Sequence, residues 1–103
     1  IVLTEHIGDL SLSKLEGDSD VAIYEQDTAW LREADLVIAE CTTPSLGVGY
    51  ELAYAESHNI PVHIFYDKSR TGLSAMLAGD KYFHIHPYAG EEELLQMVDK
   101  VLL

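Results

Sequence analysis

Two carboxylates, a serine followed by two glycines and a set of histidines are the residues of this 103-residue chain whose types and spacing could do chemistry. The segment Thr43-Pro44-Ser45-Leu46-Gly47-Val48-Gly49-Tyr50-Glu51 leaves a predicted buried strand, passes two glycines that allow close backbone approach, and enters a predicted helix. Free amides at a helix start favour negative charge, so Ser45 and main-chain donors could hold a phosphate without a lysine. The same field favours an ionised Glu51. An ionised carboxylate in a partly desolvated cleft is what cleavage of a glycosidic bond requires of its nucleophile. A plainer reading stays open beside this one, because Gly-x-Gly is a weak signal and a glutamate in a first helical turn can simply complement the helix dipole.

Asp27 is the second carboxylate, placed on a predicted helix one turn from Ile23 and one turn from Leu31. Among apolar neighbours its pKa would rise and suit it to proton transfer; at the edge of the helix it would be a solvated side chain. His84 and His86 alternate on a predicted strand and share a face, with His63 on another strand. They read either as a metal pair or as strand histidines satisfied by hydrogen bonds, and no cysteine or acidic residue completes a ligand spacing. No metal is therefore predicted. His6 follows the first strand at the end of the sheet where ligands bind. Cys41 is a nucleophile without a spaced base, or a small buried hydrophobe. Tyr24 and Trp30 are expected in the core.

These residues need elements to position them. Residues 1–5 read as a short buried strand, and Gly8 to Asp20 as a polar loop. Val21 to Ala34 reads as a helix that Ser19 or Asp20 can cap. Leu36 to Ala39 is a continuous apolar run, typical of a strand covered on both faces. A turn-rich loop from Cys41 to Gly47 leads to a helix from Gly49 to His58, which Asn59 can end. Pro61 to Tyr66 reads as a strand, Leu73 to Ala78 as a short helix closed by Gly79, Tyr82 to His86 as a strand and Glu91 to Leu103 as an amphipathic helix. Alternating strands and helices call for an α/β three-layer domain, a flavodoxin-like or Rossmann-like parallel sheet with helices on both faces. In such sheets ligands bind beyond the carboxyl ends of the strands, which selects residues 40–51.

Composition narrows the function. With 18 acidic and 6 basic residues the formal charge is −12, which disfavours a nucleic acid polymer or an anionic membrane as partner. No apolar run reaches the roughly 18 residues of a membrane span. One cysteine excludes an internal disulfide framework and fits a reducing compartment, so the cytoplasm is expected. No repeat or interdomain linker interrupts residues 1–103, which read as a single domain.

Five stretches carry a family resemblance: Val2 to His6 (VLTEH), Tyr24 to Leu31 (YEQDTAWL), Ala34 to Glu40 (ADLVIAE), Pro44 to Leu52 (PSLGVGYEL) and Leu73 to Met76 (LSAM). In this order they resemble the Rcl-type 2′-deoxynucleoside 5′-monophosphate N-hydrolases of the nucleoside 2-deoxyribosyltransferase superfamily. The resemblance implies an N-glycoside hydrolase acting without a cofactor on a small nucleotide. Glu51 is then the nucleophile that forms a glycosyl-enzyme ester, and Asp27 the acid that assists at sugar and leaving base. Ser45, on the loop with Gly47 and Gly49, binds phosphate. Ser74 implies a second phosphate contact, contributed to the neighbouring subunit of a homodimer. Ile23 and Met76 match apolar positions that contact the base, and His6 a histidine at the edge of the site.

The family also opens with a strand and a Gly-Ser-Ile-Arg-Gly-Gly type loop that have no counterpart here. A further N-terminal strand, loop and helix are therefore expected in the native protein. In a flavodoxin-like order 2-1-3-4-5, their absence would leave two strand edges facing a slot about 9.6 Å wide. Two alternatives compete. A nucleoside 2-deoxyribosyltransferase would use the same carboxylates to exchange bases, but Ser45 and Ser74 favour a phosphorylated substrate. A receiver-like signalling module should end its central strand in Asp and a later one in Lys, where this chain has Glu40-Cys41 and His84-Ile85-His86.

Overall fold

The computed structural model describes residues 2–4 and 19–103. The expectations for His6 and for most of the polar stretch from Gly8 to Asp20 lie outside the described residues. The elements alternate as β1 (Val2–Thr4), α1 (Asp20–Glu33), β2 (Val37–Glu40), α2 (Leu46–Ser57), β3 (Val62–Asp67), α3 (Ala75–Ala78), β4 (His84–Tyr88) and α4 (Glu91–Leu102). All four described strands are parallel, and each pair is joined by a helical crossover, as parallel neighbours require.

Alternation along the strands builds the layers. Val37, Ala39, Val62 and Ile64 point to one face and are buried under Leu31 of α1 and Val48, Leu52 and Ala55 of α2. Ile38, Phe65 and Tyr88 point to the other face, where Leu94, Met97, Val98 and Val101 of α4 cover them. The continuous apolar run in β2 is thus explained by cover on both sides. Ser19 caps α1 by accepting from the Ala22 amide. Asn59 ends α2 in the left-handed region at φ 59°, a conformation Asn tolerates better than most residues. α4 follows Gly90 at φ 86°, where a side chain would be strained. Its first turn carries Glu91, Glu92 and Glu93 on the positive end of the helix dipole.

Three expectations need correction. First, the strands keep the expected lateral order, β1-β2-β3-β4, but the expected slot is closed. Val2 pairs with Val37, Leu3 with Ile38 and Thr4 with Ala39, so no open slot separates β1 from β2. Direct pairing satisfies backbone donors and acceptors that a slot would leave unpaired. Second, Tyr24 and Trp30 stand on the surface, 51% and 53% exposed. Ile23, Thr28 and Leu31 fill the contact with the sheet, and Trp30 is turned about 100° from Leu31, off that stripe. Third, α2 begins at Leu46, before the glycines rather than after them. Ser45 causes this by capping the helix through its hydroxyl, which accepts from the Val48 amide at 3.2 Å.

Candidate active site

The early start of α2 changes what the Ser45–Glu51 segment is. Gly47 and Gly49 lie in the first turn of a helix, not in a loop, and Glu51 falls in the second turn. The Gly49 amide already bonds to the Ser45 carbonyl, and Val48 to the Ser45 hydroxyl. The amides of Leu46 and Gly47 have no intrahelical acceptor by position, and the Ser45 hydroxyl keeps its own proton to donate. The positive end of a twelve-residue helix and a serine donor therefore meet beyond the carboxyl end of β2.

Helical phase decides what each side of α2 faces. Val48, Leu52 and Ala55 are buried against the sheet. Tyr50 and Tyr54 look toward α1: the Tyr24 and Tyr50 rings meet edge to face with centroids 6.1 Å apart. A hydrogen bond with Tyr50 is the main cause raising the Tyr24 phenol. Further along, Arg32 donates to the Tyr54 hydroxyl at 2.7 Å. Asp27 lies between Tyr24 and Arg32 in sequence, and Glu51 between Tyr50 and Tyr54. Both are half-buried, and Asp27 continues the inward stripe of Ile23 and Leu31. Asp27 on α1 and Glu51 on α2 thus fall between two contacts that join these helices, Tyr24–Tyr50 and Arg32–Tyr54.

The opposite flank of α2 is a cavity of 710 Å³ whose lining includes Ser45, Gly49, Ala53, Ser74, Met76 and Phe83. Gly49, Ala53 and Glu56 succeed one another at helical spacing on this side, and Glu51 lies about 200° round from Gly49. Ser74 caps the short α3 by accepting from the Met76 amide at 3.3 Å. The predicted site residues are therefore divided. Ser45, Gly49, Ser74 and Met76 line the cavity, whereas Asp27, Glu51, Ile23 and Gly47 do not.

Glu56 and Asp80 also line that cavity, and their hydrogen bond raises the Glu56 carboxyl above its ordinary value, with burial and the Asp80 charge adding to it. Sequence reading passed over Glu56, although its spacing from Gly49 and Ala53 was a usable signal. Cys41 lines the cavity too; burial, then the neighbouring Glu40 charge, pushes its thiol up to about 12, so it behaves as a small hydrophobe. His63 and His86 hydrogen-bond to each other at 2.9 Å, with His84 stacked on His63. Among the described residues no group of three or more His, Cys, Asp or Glu side chains is placed to hold a metal ion. Nor is any described helix long and apolar enough to cross a membrane.

A parallel sheet covered by helices on both faces defines a Rossmann-like three-layer domain. The nucleoside 2-deoxyribosyltransferase family model matches residues 5–85, and the chain belongs to that family. It is 45% identical over 98 residues to the 5-hydroxymethyl-dUMP N-hydrolase of Mus musculus, a match covering 88% of this chain and 57% of the mouse protein. With the enzyme of the same name from Rattus norvegicus it shares 43% identity over 106 residues, covering 96% of this chain and 64% of the rat protein. The chain thus spans less than two thirds of either relative. The solved structure of the Clostridium botulinum CMP N-glycosidase BcmB superposes with a TM-score of 0.71 at 25% identity, covering 95% of this chain and 96% of that one.

Proposed function

We propose that this chain carries the catalytic residues of a hydrolase that cleaves the N-glycosidic bond of 2′-deoxynucleoside 5′-monophosphates. The observation that carries the reading is the α1–α2 seam, where half-buried Asp27 and Glu51 are bracketed by the Tyr24–Tyr50 and Arg32–Tyr54 contacts. Glu51 attacks the anomeric carbon as the bond to the base breaks, and Asp27 delivers the proton that the departing base takes up. Water then cleaves the glycosyl ester, giving free base and 2-deoxyribose 5-phosphate. Both roles belong to side chains, so the reaction calls for no cofactor. The Ser45 hydroxyl and the first amides of α2 suit the 5′-phosphate, and Ile23 beside Asp27 suits the base. The names of the mouse and rat relatives point to a deoxynucleotide, and that of BcmB to N-glycosidic chemistry on a nucleoside monophosphate.

The active form in this reading is a homodimer in the cytoplasm. Ser74 and Met76 line the cavity on the flank of α2 away from Glu51, and in this reading they serve the Glu51 site of a second copy. Leu46 and Met76, 96% and 82% exposed, are apolar surface that such a copy would cover.

The test is to incubate the full-length protein with each deoxynucleotide and with its nucleoside, and to separate the products chromatographically. Free base and 2-deoxyribose 5-phosphate from deoxynucleotides are expected, with little from nucleosides. If sugar passes to an added second base and none to water, the protein is a transferase. If no deoxynucleotide is cleaved, the reading fails.

A further inference from the structure

Glu40 closes β2, and three donors converge on its carboxylate. The Thr42 amide donates to Oε1 at 2.9 Å, the Thr42 hydroxyl to Oε2 at 2.5 Å and the Tyr88 hydroxyl to Oε2 at 2.6 Å. Thr42 Oγ1 in turn accepts the Asp67 amide at 2.8 Å, which leaves its own proton for Glu40. Burial, followed by Glu40 itself, raises the Tyr88 phenol, so that hydroxyl remains a donor. Thr42 and Tyr88 are each 7% exposed. One carboxylate thus fastens the carboxyl ends of β2, β3 and β4 together.

The turn that presents Ser45 begins directly after this anchor point. Alternation at the end of β2 sends odd and even residues in different directions: Cys41 and Thr43 line the cavity, and Glu40 and Thr42 do not. Glu40 therefore grips the turn from behind. From Thr42 the chain has only Thr43 and Pro44 before the Ser45 cap, and Pro44 has a fixed φ. Little freedom remains between the Glu40 network and the donors at the start of α2. Loss of the grip would release Ser45 and the Leu46 and Gly47 amides together.

We propose that Glu40 is a positioning residue for anion binding at the β2–α2 turn, acting through Thr42 and touching no substrate. The proposal rests on the phosphate-binding part of the function above and names the side chain that holds that part in place. Removing the carboxylate should misplace donors whose value depends on fitted geometry.

The probe is inorganic phosphate, titrated into the full-length protein by calorimetry, with amide hydrogen exchange over residues 42–49 measured in parallel. Glu40→Gln and Thr42→Val should each weaken phosphate binding by about tenfold and speed exchange across that segment, while exchange in α4 stays unchanged. Tyr88→Phe, which removes one donor of three, should show a smaller change in the same direction and covers the case in which Glu40→Gln does not fold. In turnover the signature is a raised KM for the deoxynucleotide, with kcat within about threefold of wild type. Wild-type protein that binds phosphate and cleaves nothing would sink the proposed reaction, leaving the positioning role to be decided by binding and exchange. Folded variants with unchanged phosphate affinity would overturn the positioning role even if the reaction is confirmed.

Discussion

Arg32 reaches from the last turn of α1 to the Tyr54 hydroxyl at 2.7 Å, and this contact pins α1 to α2 one helical turn beyond Glu51. With Tyr24 against Tyr50 on the other side, the seam that holds Asp27 and Glu51 is fixed at both ends. Glu51→Gln keeps the shape and removes the nucleophile, and should cost about four orders of magnitude or more in kcat. Asp27→Asn should cost about 10²–10⁴-fold, the usual range for a lost proton-transfer group. Both variants should melt within about 4 °C of wild type by calorimetry. A folded Glu51→Gln with near-normal turnover would remove Glu51 from the chemistry.

Gly49 lies in the first turn of α2 and lines the cavity, and a methyl group built on it meets no atom within 4 Å. Alanine there should stabilise the helix by about 0.5–1 kcal/mol through backbone entropy alone. For a domain of this size the melting temperature should rise by roughly 2–8 °C. The same methyl projects into the cavity, so affinity for the deoxynucleotide should fall as stability rises. A variant more stable and equally tight-binding would show that the cavity is not part of the site.

Much of this was readable because the deciding signals are local. The apolar run before Glu40 and the Ser19 cap mark their elements through nearest neighbours alone, as do the glutamates opening α4. At the start of α2 two glycines read as loop, whereas the Ser45 cap starts the helix earlier by satisfying the Val48 amide. Residue type points the aromatics of α1 to the core, yet Ile23, Thr28 and Leu31 occupy the stripe that faces it. The division of the site between two flanks of α2 depends on helical phase and on which neighbour covers each side. The Glu40–Tyr88 bond joins residues 48 apart in sequence, and no local pattern announces it. The family's lateral order holds, but the slot beside β1 does not, because only pairing in space decides whether β1 and β2 meet.

The His63–His86 pair should make folding pH-dependent. Burial is the main cause lowering His63, with His84 and His86 adding; burial and His84 lower His86 in the same direction. Imidazoles lowered in the folded state bind protons less readily than in the unfolded chain. Their contribution is complete above the ordinary histidine value of 6.5 and is lost as pH falls through the lowered values. Both side chains are only half-buried, so the effect is small, a fall in melting temperature of about 2–5 °C between pH 7.5 and 5.5. His63→Phe keeps an aromatic ring over His84 and removes one titrating partner, and should reduce that fall by about half. Identical pH profiles for the variant and wild type would rule the pair out as the cause.

Subunit exchange tests whether Ser74 serves the partner's site. If each site takes Glu51 from one chain and Ser74 from the other, Glu51→Gln and Ser74→Glu chains are each inactive alone. The second fails because its carboxylate repels the substrate phosphate. A heterodimer of the two holds one site with both defects and one with neither. Random pairing makes half the dimers heterodimers with half their sites intact, so co-expression should restore about a quarter of wild-type activity. Within one chain Ser74 lines the same cavity as Ser45, and a site built there would need no partner. In that case a verified heterodimer would show no rescue, and the role left to Ser74 in the proposed dimer would be the cap it makes on α3.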